Sequence, residues 1–240
     1  EFRSARFRYA VGSSIASKIA TVAVQIIAMP VAALSLGAHG FALYAMLTAA
    51  VAWLTLSNLG VGPVLTVRLA SAHAMGKVED ERKIFSSAFF PSLILSSLAS
   101  RSALLIIWLV PIENIFGPLY VADISTMRSG LTVFVAIFYL HTNLSLFEYA
   151  QSGYQEQYVQ NLVSAFSSVI SLLALLIFVK FYPTPVGLIL VLNSPVVFLR
   201  FCNAIFVMLR HSHTRPSLKA FRWYVCKTLM QNGAVYSLAG

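Results

Sequence analysis

Acidic residues are scarce in this chain. It holds eight Asp and Glu against seventeen Lys and Arg in 240 residues, and no acid falls between Arg3 and Val78. Charged residues of both signs make up 10%, where a soluble domain carries roughly a quarter. So few charges cannot cover a water-facing surface, which excludes a soluble globular domain and places the chain among integral membrane proteins. Cysteine is nearly absent too. Cys202 and Cys226 lie in or next to one predicted span, so no disulfide framework is implied. No Cys/His cluster has metal-ligand spacing, and His211 and His213 sit in a basic linker that reads as solvated. No metal or cofactor is expected. Short alternating runs are missing, which argues against a membrane β-barrel. No nucleophile–base pair or Gly-rich phosphate loop suggests an enzyme.

Long apolar runs are what the sequence has instead. Hydrophobic residues make up 58% and the mean hydropathy is +0.79. A spanning helix needs about 20 mostly apolar residues. Six segments qualify, near 11–36, 41–67, 87–110, 130–151, 159–180 and 187–209. A seventh is expected to start near Leu229 and to be cut off at Gly240. The first residue is Glu1 and not Met, so a fragment or a trimmed chain is expected. The basic N-terminus before an apolar run mimics a signal peptide, but that run is too long for one. The expected fold is all-α, a polytopic membrane helix bundle. Residues 1–209 form a six-helix transmembrane lobe, 210–228 a cytoplasmic basic amphipathic linker, and 229–240 the start of a further span.

The formal net charge of +9 is distributed as a topology signal. Arg3, Arg6 and Arg8, then Arg68, Lys77, Arg82 and Lys83, then Arg210, Arg215, Lys219, Arg222 and Lys227 would share one side; Arg128 and Lys180 would face the other. This puts the N-terminus in the cytoplasm. The stretch "GKVEDERKIF" mixes both signs and reads as a solvated helix. "RHSHTRPSLKAFRWYVCK" mixes bases with aromatics and reads as a segment lying on an anionic membrane surface. Nucleic acid is not an expected partner, because flanking spans hold this segment at the bilayer. Prolines 30, 63, 91 and 195 and the cluster "SNLGVGPVL" fall in or at the edge of spans, where bends and close packing are equally good readings.

Polar residues recur on one arc of every span. The arcs hold Ser14, Lys18, Thr21 and Gln25; Thr48, Thr55 and Asn58; Ser97, Ser100 and Arg101; His141, Ser145, Glu148 and Ser152; Asn161, Ser164, Ser168 and Ser171; and Asn193, Arg200 and Asn203. Each alone is ordinary helix glue. Together they suggest a shared, hydrated space, lined by Gln25, Thr55, Asn58, Ser97, Asn193 and Asn203. A charge at a helix centre costs about 2.5–3.5 kcal/mol on insertion scales and usually marks a pathway. Lys18 is near enough to a span end to snorkel. Arg101 and Arg200 lie about nine or ten residues from the nearer end, roughly 14 Å at 1.5 Å per residue. Either they bind an anion, for which the arginine fork is suited, or they form a structural ion pair with Glu148. His141 and Glu148 are the candidates for proton coupling.

"GFALYAMLTAAVAWLTLSNLGVGPVLTVRLASAHAMGK", followed by "VEDERKIFSSAFF", resembles the second-span region of the polysaccharide biosynthesis/oligosaccharide flippase branch of the MOP exporter superfamily. The resemblance is carried by Gly40, Tyr44, Leu59-Gly60-Val61-Gly62, Arg68, Leu69, Ala70 and Gly76-Lys77, and "GYQEQYVQNLVSAFSSVISLLALLIF" resembles the family's fourth-to-fifth-span passage. It implies a MATE-like transporter of two six-helix lobes around a central cavity, of which this chain holds the first. It implies export of a polyprenyl-diphosphate-linked oligosaccharide across the bacterial cytoplasmic membrane by alternating access, for O-antigen, capsule or exopolysaccharide. The partners are then that lipid-linked oligosaccharide, the lipid bilayer and polysaccharide assembly proteins, with Lys18, Arg101 and Arg200 attracting the anionic head group. A MATE-type multidrug antiporter and a lipid II flippase are the rivals within the superfamily. Lys18 and Gln25 stand in span one, where the drug exporters usually place an acid. A membrane polymerase or ligase is the rival from another class, but the longest external stretch, "PIENIFGPLYVADISTMRSG", is short and nearly uncharged.

Overall fold

A computed structural model describes residues 2–55, 61–111 and 123–239. Among the described residues the chain is helical and contains no strand. The helices are α1 (Phe2–Thr55), α2 (Val61–Ala74), α3 (Val78–Leu109), α4 (Ile124–Gly153), α5 (Gln157–Phe178), α6 (Pro185–Arg210) and α7 (Trp223–Ala239). Two short 3-10 turns, Ser212–Thr214 and Leu218–Ala220, lie between α6 and α7. In hydrocarbon the backbone must satisfy its own polar groups, and long apolar runs without strand alternation do so as helices.

Among the described residues, five helical stretches are long and apolar enough to cross a membrane: Gly12–Ala49, Val78–Leu109, Ile124–Gly153, Gln157–Phe178 and Pro185–Arg210. The expected second span, 41–67, is not a helix of its own. Its first part continues α1 across Gly37, and its last part is the short α2. Gly37 has φ 67° and ψ 177°, a backbone state that a side chain would strain. The neighbours of the two arms show that the chain reverses there. Before Gly37, Ser13 pairs with Asn161, Thr21 with Ser168, and Ala32 packs with Leu175, so this arm runs parallel to α5. After it, Leu43 packs on Met127, Leu47 on Phe134, and Thr66 of α2 donates to the Tyr149 carbonyl, so this arm and α2 run parallel to α4. Because α4 and α5 are antiparallel, α1 contributes two passes. Helices α1, α3 and α6 run on through Pro30, Pro91 and Pro195.

Small residues set the closest contacts, as expected where apolar burial drives little association. Gly62 of α2 lies against the Tyr149 ring, and a Cβ on Gly153 would stand 3.0 Å from the Thr66 carbonyl oxygen. Gly153→Leu is therefore expected to destabilise the α2–α4 contact by roughly 1–3 kcal/mol through overpacking. Gly12→Ala, with nothing within 4 Å of the added carbon, is the neutral control. Thermal aggregation in detergent compares them.

The cations gather at one end. The turn after α2, the turn between α4 and α5, and the α6–α7 linker meet there, with His73 against Glu81 and His211 against Glu156. Arg128 belongs to the opposite end, where His39 pairs with Asp123 at 2.6 Å. The α6–α7 linker has fixed contacts. It is pinned to α3, the Ser217 amide donating to Ser86 Oγ at 3.1 Å and the Arg222 amide to Ser87 Oγ at 2.9 Å. Helix α7 begins at Trp223 and not near Leu229, with Trp223 and Tyr224 both exposed.

Candidate functional site

His141, Glu148 and Gln151 share one face of α4, two turns and then one turn apart. Arg200 and Asn203 of α6 meet that face. Arg200 Nε stands 3.1 Å from Glu148 Oε1, and the buried carboxylate has 8% of its side chain exposed against 20% for the guanidinium. The same guanidinium donates through Nη1 to His141 Nε2. A guanidinium has only donors. Nε2 of His141 must therefore accept, which makes the ring neutral with its proton on Nδ1. One turn on, Gln151 donates to Asn203 at 2.9 Å and Asn203 donates back at 2.7 Å, both side chains buried. The site is a cation held between a carboxylate and an imidazole, closed on one side by a reciprocal amide pair. A proton on Glu148 or on His141 would remove one hold on Arg200 and free part of its fork.

The other expected residues are spread over the bundle. Lys18 and Arg101 are exposed, on faces shared with Ile15, Ile19 and Val22 and with Leu98, Leu105 and Trp108. Neither forms an ion pair with an acid among the described residues. Gln25 is exposed beside Ile26. The hydroxyl of Ser97 donates to the Leu93 carbonyl and the amide of Asn193 to the Ile189 carbonyl, each within its own helix. Asn203 lines no open space, because Gln151 occupies it. Asn58 lies outside the described residues, as does the side chain of Thr55.

A second polar cluster, not expected from the sequence, forms at the cation-rich end. Glu81, 1% exposed, lies 3.2 Å from His73 Nδ1 and 2.6 Å from His213 Nε2. Glu156 lies 2.9 Å from Arg210 Nε and 3.3 Å from His211 Nε2. The Tyr154 ring stacks on His211 with centroids 4.1 Å apart. Burial first, and then the Glu81 and Glu156 carboxylates, push the Tyr154 phenol up from its ordinary value. His211 and His213 are thus not solvated, and Glu81 is not part of a solvated charge run. The available signal was spacing: in a helix starting at Val78, Glu81 points away from the exposed Glu79 and Arg82.

These features define a helical multi-pass membrane bundle with the architecture of one lobe of a MATE-like transporter. Two solved structures share it. One is the outward-facing conformation of a multidrug-resistance MATE-family transporter of the MOP superfamily, with TM-score 0.75 and 13% identity over 98% of this chain. The other is a MOP-superfamily transporter from Pyrococcus furiosus, reported with reversed polarity of its binding pocket, with TM-score 0.72 and 14% identity over 97% of this chain. The chain spans about half the length of each, 52% in both cases. At these identities the likeness is one of fold. No protein-family model matches the chain, and no curated protein matches it.

Proposed function

We propose that this chain is the first lobe of a transporter that exports a polyprenyl-diphosphate-linked oligosaccharide across the bacterial cytoplasmic membrane, N-terminus inside, for cell-surface polysaccharide synthesis. One observation carries the reading. Beyond the first turn of α3, Glu148 is the one acid within the described spans, while Lys18, Arg101 and Arg200 lie in them. A site for organic cations needs surplus acid; this lobe has surplus base. Arg200 is held in reserve by Glu148 and His141. A diphosphate competes with Glu148 for its fork, and a proton on Glu148 favours the exchange. Lys18 and Arg101 draw the head group toward the lobe, the prenyl tail stays in lipid, and rocking against a second lobe opens the site to the other side.

The full-length protein, expressed in bacteria lacking their own oligosaccharide flippase, is expected to restore surface polysaccharide and to clear the lipid-linked precursor that accumulates inside. Accumulating lipid II cleared in its place would identify a lipid II flippase. A second reading rests on the buried carboxylate of Glu148 and on the multidrug transporter that shares the fold. It expects raised resistance to cationic drugs, lost in Glu148→Gln, with no change in polysaccharide. That result would replace the flippase reading.

A further inference from the structure

Away from the Arg200 site, a cavity of about 490 Å³ opens between α2, α3, α4 and α7. Its walls are largely apolar, with Pro91, Leu95, Phe138, Leu146 and Met230 among them. Along α3 it runs from Ser87 to Ala99, and along α4 from Tyr149 to Phe138. At 1.5 Å per residue both stretches are roughly 16–18 Å long. The hydrocarbon of one leaflet is about 15 Å deep, half the core thickness. The cavity thus has the length of a single leaflet, and it starts at the cation-rich end.

The α6–α7 linker crosses that end, because its Arg222 amide is bonded to Ser87, a wall residue. Between the linker and the start of α3 lies a groove of about 220 Å³ lined by Glu79, Arg82, Lys83, Ser217, Lys219 and Ala220. Lys83 is occupied by Asp80 at 3.2 Å and Glu79 at 3.9 Å. Arg82, Lys219 and Arg222 are exposed, and none has an acidic partner among the described residues. A slot of leaflet depth is therefore crowned by three unneutralised cations.

We propose that this cavity holds one acyl chain of an anionic phospholipid of the surrounding bilayer, with the lipid phosphate at Arg82 and Lys219 and beside Arg222. The depth favours an acyl chain over a long prenyl tail, which would overrun a single leaflet. The cations favour an anionic head over a zwitterionic one. The proposal stands apart from the transport reading, since the cavity shares no residue with the Arg200 site.

The test uses the full-length protein in phosphatidylcholine nanodiscs, with a trace of phosphatidylglycerol or phosphatidylcholine carrying a mid-chain diazirine. After illumination, labelled peptides are mapped. Phosphatidylglycerol is expected to label 87–99, 138–149 and 226–230 at least about fivefold more than phosphatidylcholine does, the weight of one surface cation. Ala99→Trp should remove cavity labelling and spare exposed faces such as Leu34 and Ile177. If that variant fails to fold, Arg82→Gln with Lys219→Gln remains informative, since both side chains are exposed. It should bring the two lipids to near-equal labelling. Equal labelling in the wild type, or cavity labelling no higher than at Leu34, would overturn the proposal. So would a labelling pattern that Ala99→Trp leaves unchanged.

Discussion

Arg200→Gln is expected to cut the membrane abundance of the protein sharply, and Glu148→Gln in the same chain to restore it. The reason is the environment of the pair. Glu148 is buried and 3.1 Å from Arg200 Nε. Removing one partner of a buried pair leaves an uncompensated charge, at a cost of about 3–5 kcal/mol, whereas replacing both is often neutral. Only His141, whose Nε2 accepts from Arg200, would then also lose its partner, a smaller loss of roughly 1–3 kcal/mol. Export separates the two roles of the arginine. If Arg200 also binds the diphosphate, the double variant regains abundance and does not regain export. Arg200→Lys, which keeps a point charge and loses the fork, should then export partially. Recovery of export along with abundance would show that Arg200 holds α4 to α6 and does not touch substrate. Unchanged abundance in Arg200→Gln would show that the pair contributes nothing to the fold.

The passes were legible in the sequence because they rest on length and continuity. The reversal at Gly37 falls between the expected first and second spans, where "SLGAHG" weakens the apolar run. What sequence could not fix is the partner of each polar face. Asn203 lies on one arc with Arg200, and that arc suggested open space; the same arc meets α4, whose Gln151 stands 52 positions away. Polar residues on a membrane helix face either water or another helix, and the choice depends on contacts between helices distant in sequence. Arg200 illustrates both sides: the ion pair with Glu148 was one of its two readings, and only the packing of α6 on α4 brings it about. The end cluster was missed for a different reason. The run "GKVEDERKIF" intersperses acids and bases as a solvated helix does, yet at 100° per residue its Glu81 faces inward.

That acid supports the second large effect. With Cys202 replaced by Ser, Cys226 is the sole cysteine, 1% exposed and one turn into α7. Its reaction with a bulky maleimide then reports how often the linker lifts from α3. Glu81 faces His213 of that linker across 2.6 Å, an ion-pair distance when the imidazole carries a proton, and is hydrogen-bonded to His73 at 3.2 Å. Glu81→Gln removes the charge both imidazoles face, which is expected to cost about 1–3 kcal/mol and to speed labelling by roughly 5- to 150-fold. His213→Gln alone should speed it too, and the double variant by less than the product, since the two residues share one contact. Tyr154 supplies an independent check through pH. Its raised value means that the folded protein resists forming the phenolate. The stability this gives is constant below the free phenol value of about 10 and is lost as pH rises above it. The melting temperature of the wild type should thus fall more steeply above about pH 10 than that of Tyr154→Phe. Glu81→Gln, which removes one of the carboxylates that raise Tyr154, should fall between them. Labelling of Cys226 at the wild-type rate in Glu81→Gln, with an unchanged alkaline slope, would mean that the linker is held by its backbone bonds to Ser86 and Ser87 alone.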